Sequence, residues 1–322
     1  MTMFDLKSYI ASAYEHKSLP GGLSDTLLGL ADAAIEIAKL AANNGLDTPN
    51  LGGLAGGLNE DGDSQKQLDV MSDDLVCEAL SAAGVARYFS EEQAEVKILT
   101  PDGQIGVACD PLDGSSNIDT NLTIGTIFSI FDMKDCVNDL PPMGRKQLAA
   151  GLFVYGPQTA LLLSFGDEVA AFALSEEGRF IRLEWDVQIP ASSTEFAINA
   201  SNAAFWPAPI QTYIAERSTG GAAKTSAMRW LGSLVADAFR IFRRGGVFLY
   251  PQDSRTGYEQ GRLRLIYEAS PMAFLIEAAG GRATTGTHDI LDIAPTSLHQ
   301  RIPLIFGSAD EVKHIIARIA QN

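Results

Sequence analysis

The chain is poor in residues that mark several common protein classes. Its 322 residues include only three cysteines, which are far apart and form no C-x-x-C pair: Cys77, Cys109 and Cys136. This spacing excludes a zinc knot and is typical of buried thiols in a reducing cytoplasm. The four histidines show no H-E-x-x-H or other paired spacing, so a zinc hydrolase site is not expected either.

Long apolar runs and an excess of basic residues are also missing. The apolar runs, such as 160–163, are far too short to cross a bilayer, and the first 17 residues lack the apolar core of a signal peptide. We therefore expect a cytoplasmic protein without a membrane partner. With 24 basic and 40 acidic residues, the net charge of −16 argues against nucleic acid as a partner. A small phosphate could still bind if metal cations reverse the local field.

The remaining composition is that of a globular protein long enough for two domains. Amphipathic helices are predicted over 24–43 and 65–84. Seven short strand signals follow between 85 and 183, separated by turns such as Asp102-Gly103, which favours a mostly antiparallel sheet. Strands then alternate with helices, as in an α/β layer. We predict an α/β (α+β layered) protein with domains 1–187 and 188–322.

The stretch "VACDPLDGSSNID", residues 107–119, combines acids with small residues. Asp110 ends a predicted strand, Pro111 is expected to force a turn, and Asp113 comes three residues after Asp110, so both carboxylates can point into one site. Two carboxylates in one site repel each other unless a cation neutralises them, and such hard oxygen ligands suit Mg²⁺ or Mn²⁺. Gly114, Ser115 and Ser116 then offer successive backbone N–H groups and hydroxyls, which form a nest for a phosphate.

A solvated Asx-turn hairpin is the alternative explanation of this stretch. Further acids at the ends of predicted elements favour a multi-metal pocket instead. An EF-hand is excluded because "NEDGDSQKQLD" lacks the required spacing, and no G-x-S-x-G elbow supports a serine hydrolase. The further acids are Glu91 and Glu92 after a short apolar run, Asp63 and Asp69 at a helix start, and Glu268 at a strand end before a helix at Ser270-Pro271.

The sequence "DPLDGSSNID" resembles the signature of class I fructose-1,6-bisphosphatases, within the Mg-dependent, lithium-sensitive phosphatases. "QLDVMSDDLV", "GSLVADAFR" and "LRLIYEASPMAFLIEAAGG" resemble the same family in order and spacing, over nearly the whole chain. The resemblance implies a sugar-phosphatase fold, in which N-terminal helices and a mostly antiparallel sheet pack on a C-terminal α/β/α domain. It also implies a homotetramer that hydrolyses the 1-phosphate of fructose 1,6-bisphosphate with metal-activated water.

The resemblance further implies roles for the acidic residues. Two Mg²⁺ ions, for which Mn²⁺ could substitute, would have five ligands, and Asp63 with Glu91 would assist a third ion. Asp69 and Glu92 would orient and deprotonate the attacking water. The five ligands are Glu91, Asp110, the backbone carbonyl of Leu112, Asp113 and Glu268.

Binding of the two phosphates is implied in the same way. Gly114, Ser115 and Ser116 would cradle the 1-phosphate. The sugar and the 6-phosphate would be held by Asn199, Tyr250, Arg262 and Arg229, the last reaching in from a neighbouring subunit.

Several positions depart from the family pattern. Asn202 and Trp230 stand where tyrosines are usual, and Arg262 stands where the family has a lysine. These changes leave open sedoheptulose-1,7-bisphosphatase activity, alone or as a second activity. A non-catalytic sugar-phosphate sensor on the same fold is the alternative of another class, although such a protein would have lost some of the acids.

The regulatory positions of the family are also changed. The turn at Gly21–Ser24 lacks the expected acid, Gln104-Ile105 replaces a Lys-Tyr pair, and Asp132 stands in place of an arginine. We therefore predict weak or absent inhibition by AMP. Cys136 has no second cysteine in its loop, so a thioredoxin switch is not expected.

Overall fold

Three helices lie in the N-terminal part of the computed structural model, which describes residues 4–43, 54–58, 64–219 and 226–321. They are α1 (Leu6–His16), α2 (Leu23–Ala42) and α3 (Gln67–Ala82), and a short antiparallel pair, β1 (Leu54–Leu58) and β2 (Ser64–Lys66), precedes α3. The helices predicted over 24–43 and 65–84 correspond to α2 and α3. The sequence analysis missed α1. Apolar stripes on all three helices enter one core.

An eight-stranded sheet packs against these helices. Its order is β10-β9-β8-β7-β6-β5-β3-β4, and every neighbouring pair is antiparallel except β3 and β5. The predicted, mostly antiparallel sheet is therefore confirmed. The strands are β3 (Arg87–Ser90), β4 (Lys97–Ile98), β5 (Ile105–Asp113), β6 (Ile124–Asp132), β7 (Ala149–Tyr155), β8 (Thr159–Ser164), β9 (Val169–Leu174) and β10 (Phe180–Arg182).

Both faces of this sheet are buried, as β7 illustrates. Phe153 and Tyr155 face the N-terminal helices, whereas Leu152 and Val154 face a second core. This alternation follows from the two-residue period of a strand. Because each face needs its own apolar residues, β7 consists almost entirely of apolar side chains.

A five-stranded mixed sheet forms a further layer in the order β12-β11-β13-β17-β15. Helices α5 and α6 lie between the two sheets, and α4 and α7 cover the outer face of the smaller one. The predicted layered architecture is thus confirmed. The remaining elements are β11 (Glu195–Ala197), α4 (Ala208–Thr219), β12 (Ala227–Met228), α5 (Leu234–Arg244), β13 (Val247–Tyr250), β14 (Leu263–Arg264), α6 (Ser270–Ala278), β15 (Arg282–Thr284), β16 (Arg301–Ile302), β17 (Leu304–Gly307) and α7 (Ala309–Ile319).

Two expectations about element ends were wrong. Strand β5 does not stop at Asp110 but continues through Pro111 to Asp113. Opposite it, β6 advances only from Ile127 to Gly125, so the register shifts in this interval. A bulge tolerates proline because its missing N–H is not needed there for the ladder.

The second correction concerns Glu268, which does not lie at a strand end. After β14, residues Leu265–Ala269 form a π-helical turn that leads directly into α6. Ser270 donates its N–H to the carbonyl of Leu265 in this wide turn. Pro271 lies in the first turn of α6. Helices accept proline there because the N–H that proline lacks would have no partner within the helix. Turns of this kind are frequent at functional sites.

The predicted division after residue 187 falls in the connection between β10 and β11. That the two parts behave as separate domains stays a prediction. Within the described ranges, no helix combines the length and the apolar character needed to span a bilayer.

Candidate active site

A polar cavity of about 650 Å³ opens where the start of α3, the ends of β3 and β5, the start of α5 and the π-helical turn meet. Carboxylates line one end of it, and guanidinium, amide and aromatic groups line the other. Thirteen predicted site residues line this cavity, which are Asp69, Glu91, Glu92, Asp110, Leu112, Asp113, Gly114, Ser115, Ser116, Asn199, Tyr250, Arg262 and Glu268.

Two predicted residues are not among these. Arg229 is exposed and does not line the cavity of its own chain. Asp63 lies outside the described residues.

The centre of the carboxylate end is a buried triad. Asp110, Asp113 and Glu268 each offer one oxygen, and these three atoms lie within 4.8 Å of one another. Burial, reinforced by neighbouring negative charge, raises the pKa of Asp113 to about 6 and that of Glu268 to about 8, and it raises the pKa of Asp110 well above its usual range. Three carboxylates held this close without solvent favour a site that takes up a cation.

Each carboxylate of the triad has one oxygen fixed by a hydrogen bond. Oδ2 of Asp113 accepts from Oγ of Ser233 at 2.7 Å and from the N–H of Val235 at 2.9 Å, at the N-terminus of α5. Oδ1 of Asp110 accepts from the N–H of Leu112 at 3.0 Å. Oε2 of Glu268 accepts from the N–H of Arg264 at 2.6 Å. The triad is therefore rigid before any ligand binds.

Arg264 is a site residue that the sequence analysis missed. Its buried guanidinium forms an ion pair with Glu91, which follows β3. The alternation in "GRLRL" could have indicated it. Residues two apart in an extended segment face the same side, so Arg264 is expected on the same side as Arg262. Arg264 thus brings positive charge directly against the carboxylate end.

Asp69 lies in the first turn of α3 and lines the same cavity as the triad. Its Oδ2 accepts from the N–H of Lys66 at 2.8 Å, while its buried Oδ1 has no hydrogen-bond partner among the described residues. An unpaired buried carboxylate oxygen is costly, so this atom indicates a ligand that is bound in the working protein. Together with the triad it forms an all-oxygen donor set, which fits a hard divalent cation.

The phosphate nest predicted at 114–116 has suitable backbone geometry. Gly114 adopts a left-handed φ of +83°, and a Cβ atom at this position would come within 2.8 Å of the Ser233 side chain. Residues Ser115–Asn117 follow as a 3₁₀ turn. A left-handed residue followed by right-handed ones makes successive N–H groups converge, which suits an anion.

The opposite end of the cavity combines aromatic and cationic side chains. Trp230 stacks on Phe248 with a centroid distance of 5.7 Å and an interplanar angle of 19°. Tyr258 has the guanidinium of Arg255 at 4.1 Å from its ring centroid and that of Arg262 at 5.5 Å. Tyr258, Arg255 and Arg301 also line the cavity.

Sequence analysis did not single out Arg255, Tyr258 or Arg301. Their signal in the sequence is weak, because they follow loop segments without a fixed period. Asn202 and Trp230, which replace the usual tyrosines of the family, do line this end.

Comparisons with known proteins agree with these observations. The family model "Fructose-1-6-bisphosphatase, N-terminal domain" matches residues 7–184, and the model of the C-terminal domain matches residues 189–320. A class 1 fructose-1,6-bisphosphatase of Nitrobacter hamburgensis is 52% identical over 298 residues, which cover 91% of this chain and 86% of the relative. One of Sinorhizobium medicae is 47% identical over 321 residues, which cover 96% and 91%.

Solved structures lead to the same family. The crystal structure of Leishmania major fructose-1,6-bisphosphatase in holo form matches with a TM-score of 0.92 and 31% sequence identity, over 100% of both chains. The apo form of that protein matches with a TM-score of 0.87 and 29% identity.

Proposed function

The chain belongs to the class 1 fructose-1,6-bisphosphatase family, and from this premise we propose how its cavity hydrolyses the 1-phosphate of fructose 1,6-bisphosphate. It is a metal-dependent phosphoric monoester hydrolase of carbohydrate metabolism. The observation that carries the proposed mechanism is the meeting of the Asp110–Asp113–Glu268 triad within 4.8 Å, directly beside the nest at 114–116.

We propose that the ions are two or three Mg²⁺ per subunit, with Mn²⁺ as a substitute. The all-oxygen donor set supports this choice, since Mg²⁺ and Mn²⁺ prefer carboxylate and carbonyl ligands. When bound, the ions neutralise the crowded carboxylates, polarise the phosphoryl group and lower the pKa of water. The proposed ligands are Glu91, Asp110, the carbonyl of Leu112, Asp113 and Glu268, and Asp63 would assist a third ion.

The chain's own groups then carry the substrate and the proton. The nest at 114–116 holds the 1-phosphate in place. Asp69 and Glu92 orient the attacking water, and Oδ1 of Asp69, which has no hydrogen-bond partner among the described residues, accepts its proton. Burial raises the pKa of Asp69, which makes it a better base than an exposed aspartate. A new P–O bond forms to water as the P–O1 bond breaks, and O1 takes up a proton from solvent as it leaves, so that phosphate and fructose 6-phosphate are released.

The opposite end of the cavity would bind the sugar and the 6-phosphate through Asn199, Tyr250 and Arg262. Arg229 would enter this end from a neighbouring copy of the chain. Its exposure supports this role, as do two exposed apolar neighbours, Met228 and Leu231. A shared Arg229 requires at least a dimer, and the homotetramer that we propose is based on membership of the family. A cytoplasmic location stays a prediction, with which three free cysteines are compatible.

A seven-carbon bisphosphate is the second candidate substrate. Asn202, which lines the cavity, is shorter than the tyrosine that is usual in the family, and this difference favours a longer substrate. The sensor alternative is weaker, because every predicted acid within the described residues lines the cavity.

Weak or absent AMP inhibition also stays a prediction. Gly22 caps α2 with no side-chain hydrogen bond, and Asp132 is paired with Lys134 at 2.7 Å. Neither residue carries a positive charge that would attract a nucleotide phosphate. Burial raises the pKa of Cys136 to about 11, so its thiol is unreactive at neutral pH.

The proposal is tested by phosphate release from fructose 1,6-bisphosphate and sedoheptulose 1,7-bisphosphate, with Mg²⁺ or with EDTA, and with and without AMP. We expect Mg²⁺-dependent release of one phosphate from the six-carbon substrate, and fructose 6-phosphate alone should not be hydrolysed. Equal release in EDTA, or attack on fructose 6-phosphate, would contradict the proposed mechanism.

A further inference from the structure

A second buried carboxylate lies on α3 behind the cavity, and the proposed mechanism does not use it. Asp73 follows Asp69 by one helical turn, so both project from the same side of α3. Asp69 lines the cavity, whereas Asp73 does not and is only 1% exposed. A charged side chain buried this deeply needs a reason, because its burial is costly.

Asp73 is fully engaged by four donors from β3, β4 and the segment that joins them. Its Oδ1 accepts from the hydroxyl of Tyr88 at 2.7 Å and from that of Ser90 at 2.6 Å. Its Oδ2 accepts from Nε2 of Gln93 at 2.5 Å and lies 3.5 Å from Nζ of Lys97. Charge-assisted hydrogen bonds of this kind are stronger than neutral ones and fix the groups that donate them.

Two of these donors flank the acidic pair Glu91–Glu92. Ser90 immediately precedes the pair and Gln93 immediately follows it, so one carboxylate holds both ends of the segment. Oγ of Ser90 also accepts from the N–H of Glu92 at 3.1 Å, which extends the network to the pair itself. The backbone between Ser90 and Gln93 therefore has little freedom to turn its two glutamates away from the cavity.

We infer that Asp73 is a positioning residue, which aims Glu91 and Glu92 at the carboxylate end of the cavity by holding Ser90 and Gln93. The inference rests on the roles proposed above for the two glutamates. It assigns Asp73 no contact with substrate or metal. Its effect reaches the site through the segment 90–93.

Asparagine is the sharpest replacement for Asp73. It keeps the size of the side chain, but its NH₂ group cannot accept from Gln93 or Lys97, so half of the network is lost. Asp73→Asn should therefore weaken metal binding. We expect the Mg²⁺ concentration for half-maximal activity to rise about tenfold, and the Mn²⁺ dissociation constant measured by electron paramagnetic resonance to rise in parallel. The KM for substrate at saturating Mg²⁺ should change less than twofold.

Glu311→Gln is the matched control. Glu311 is likewise a buried carboxylate, which accepts from the hydroxyl of Tyr213 at 3.2 Å and pairs with Arg217, but it lies between α4 and α7. Its replacement should lower the melting temperature without moving either metal constant. If Asp73→Asn behaves in the same way, Asp73 merely stabilises the fold and the inference is wrong.

Gln93→Ala keeps the inference testable if the Asp73 variants do not fold, since Gln93 is partly exposed. It should shift both metal constants in the same direction by a few-fold, and an unchanged Mn²⁺ constant would overturn the inference. Because Mn²⁺ binding is measured without substrate, it tests Asp73 even if no bisphosphate is hydrolysed. A failure to hydrolyse any bisphosphate would overturn only the proposed function.

Discussion

The two ends of the cavity are built from opposite charges and are held in different ways. At the carboxylate end, the triad is buried and fixed by backbone and hydroxyl donors. At the opposite end, Arg255 and Arg262 are only partly buried and stack against Tyr258. The first end is closed to solvent, whereas the cationic side chains of the second stay partly open to it. We therefore expect changes at the first end to affect turnover and metal binding, and changes at the second to affect substrate affinity.

The largest effect should come from Asp113→Ala, which removes a member of the triad. Loss of a preorganised electrostatic group costs about 10²–10³-fold in kcat, and loss of a metal ligand should reach the upper part of this range. Phosphate release at saturating Mg²⁺ measures it, and circular dichroism checks that the fold is kept. Asp167→Ala, at an exposed carboxylate far along the sheet, is the control. If Asp113→Ala keeps more than a tenth of the normal activity, turnover does not depend on the carboxylate end in the way proposed.

Arg262→Ala tests the opposite end and should act on affinity instead. A hydrogen bond to a charged group contributes about 1.5–3 kcal/mol, so KM should rise about 10–100-fold while kcat changes little. Arg262→Lys should recover part of the loss, because it keeps the charge but not the planar fork. Arg182, whose guanidinium lies 4.9 Å from the ring centroid of Tyr9 outside the cavity, gives a matched control as Arg182→Ala. A fall in kcat with unchanged KM would contradict the proposed division of labour.

Arg229→Ala tests whether another copy of the chain contributes a side chain to the opposite end of the cavity. We expect KM to rise about tenfold, as for the loss of one charge-assisted contact. Subunits carrying Arg229→Ala, once mixed and reassembled with Asp113→Ala subunits, should regain affinity, because the second variant still supplies Arg229. Kinetics of the mixture against each variant alone measure this. If no affinity is regained, Arg229 is not shared between subunits.

The smallest effect is a pH dependence confined to the carboxylate end. Without metal, the pKa of Glu268 is raised from 4.5 to about 8 and that of Asp113 from 3.8 to about 6. Above pH 4, the folded chain holds protons that the unfolded chain has lost. The contribution of these two groups to the free energy of unfolding is therefore complete below pH 4 and disappears as the pH rises towards 8.

In EDTA, the melting temperature should therefore fall between pH 6 and pH 8.5, by about 2–4 °C for each kcal/mol lost. Mg²⁺ should bind more tightly over the same interval, because it replaces protons. Scanning calorimetry measures both changes, and Glu268→Gln should flatten the profile. If the melting temperature of the unmodified chain does not change over this pH interval, the negative charges of the triad do not destabilise the fold.

The same contrast explains what the sequence could predict. Local signals located most of the helices and strands, although not α1, and the acidic stretch at 107–119, because period and turn chemistry are short-range properties. They did not predict the continuation of β5 past Pro111 or the π-helical turn around Glu268. Both depend on how neighbouring elements pack, which no local spacing encodes.

Long-range partners were likewise invisible to local reasoning. Ser233 donates to Asp113 across 120 residues of sequence, and Arg264 reaches Glu91 across 173. The cationic end was harder still, since Arg255 and Tyr258 come from an irregular loop. Only the resemblance to a family assigned the predicted acids to one site. The groups that hold these acids in place could not be identified from the sequence.

The bond between Asp113 and α5 also has a consequence for biosynthesis. Asp113 is made early, in β5, but its donors Ser233 and Val235 and its companion Glu268 are made in the last third of the chain. A nascent polypeptide that has left the ribosome only as far as the large sheet has Asp110 and Asp113, but it lacks the groups that orient Asp113. Ion capture is thereby postponed until translation is nearly finished, and an incomplete chain has no working centre.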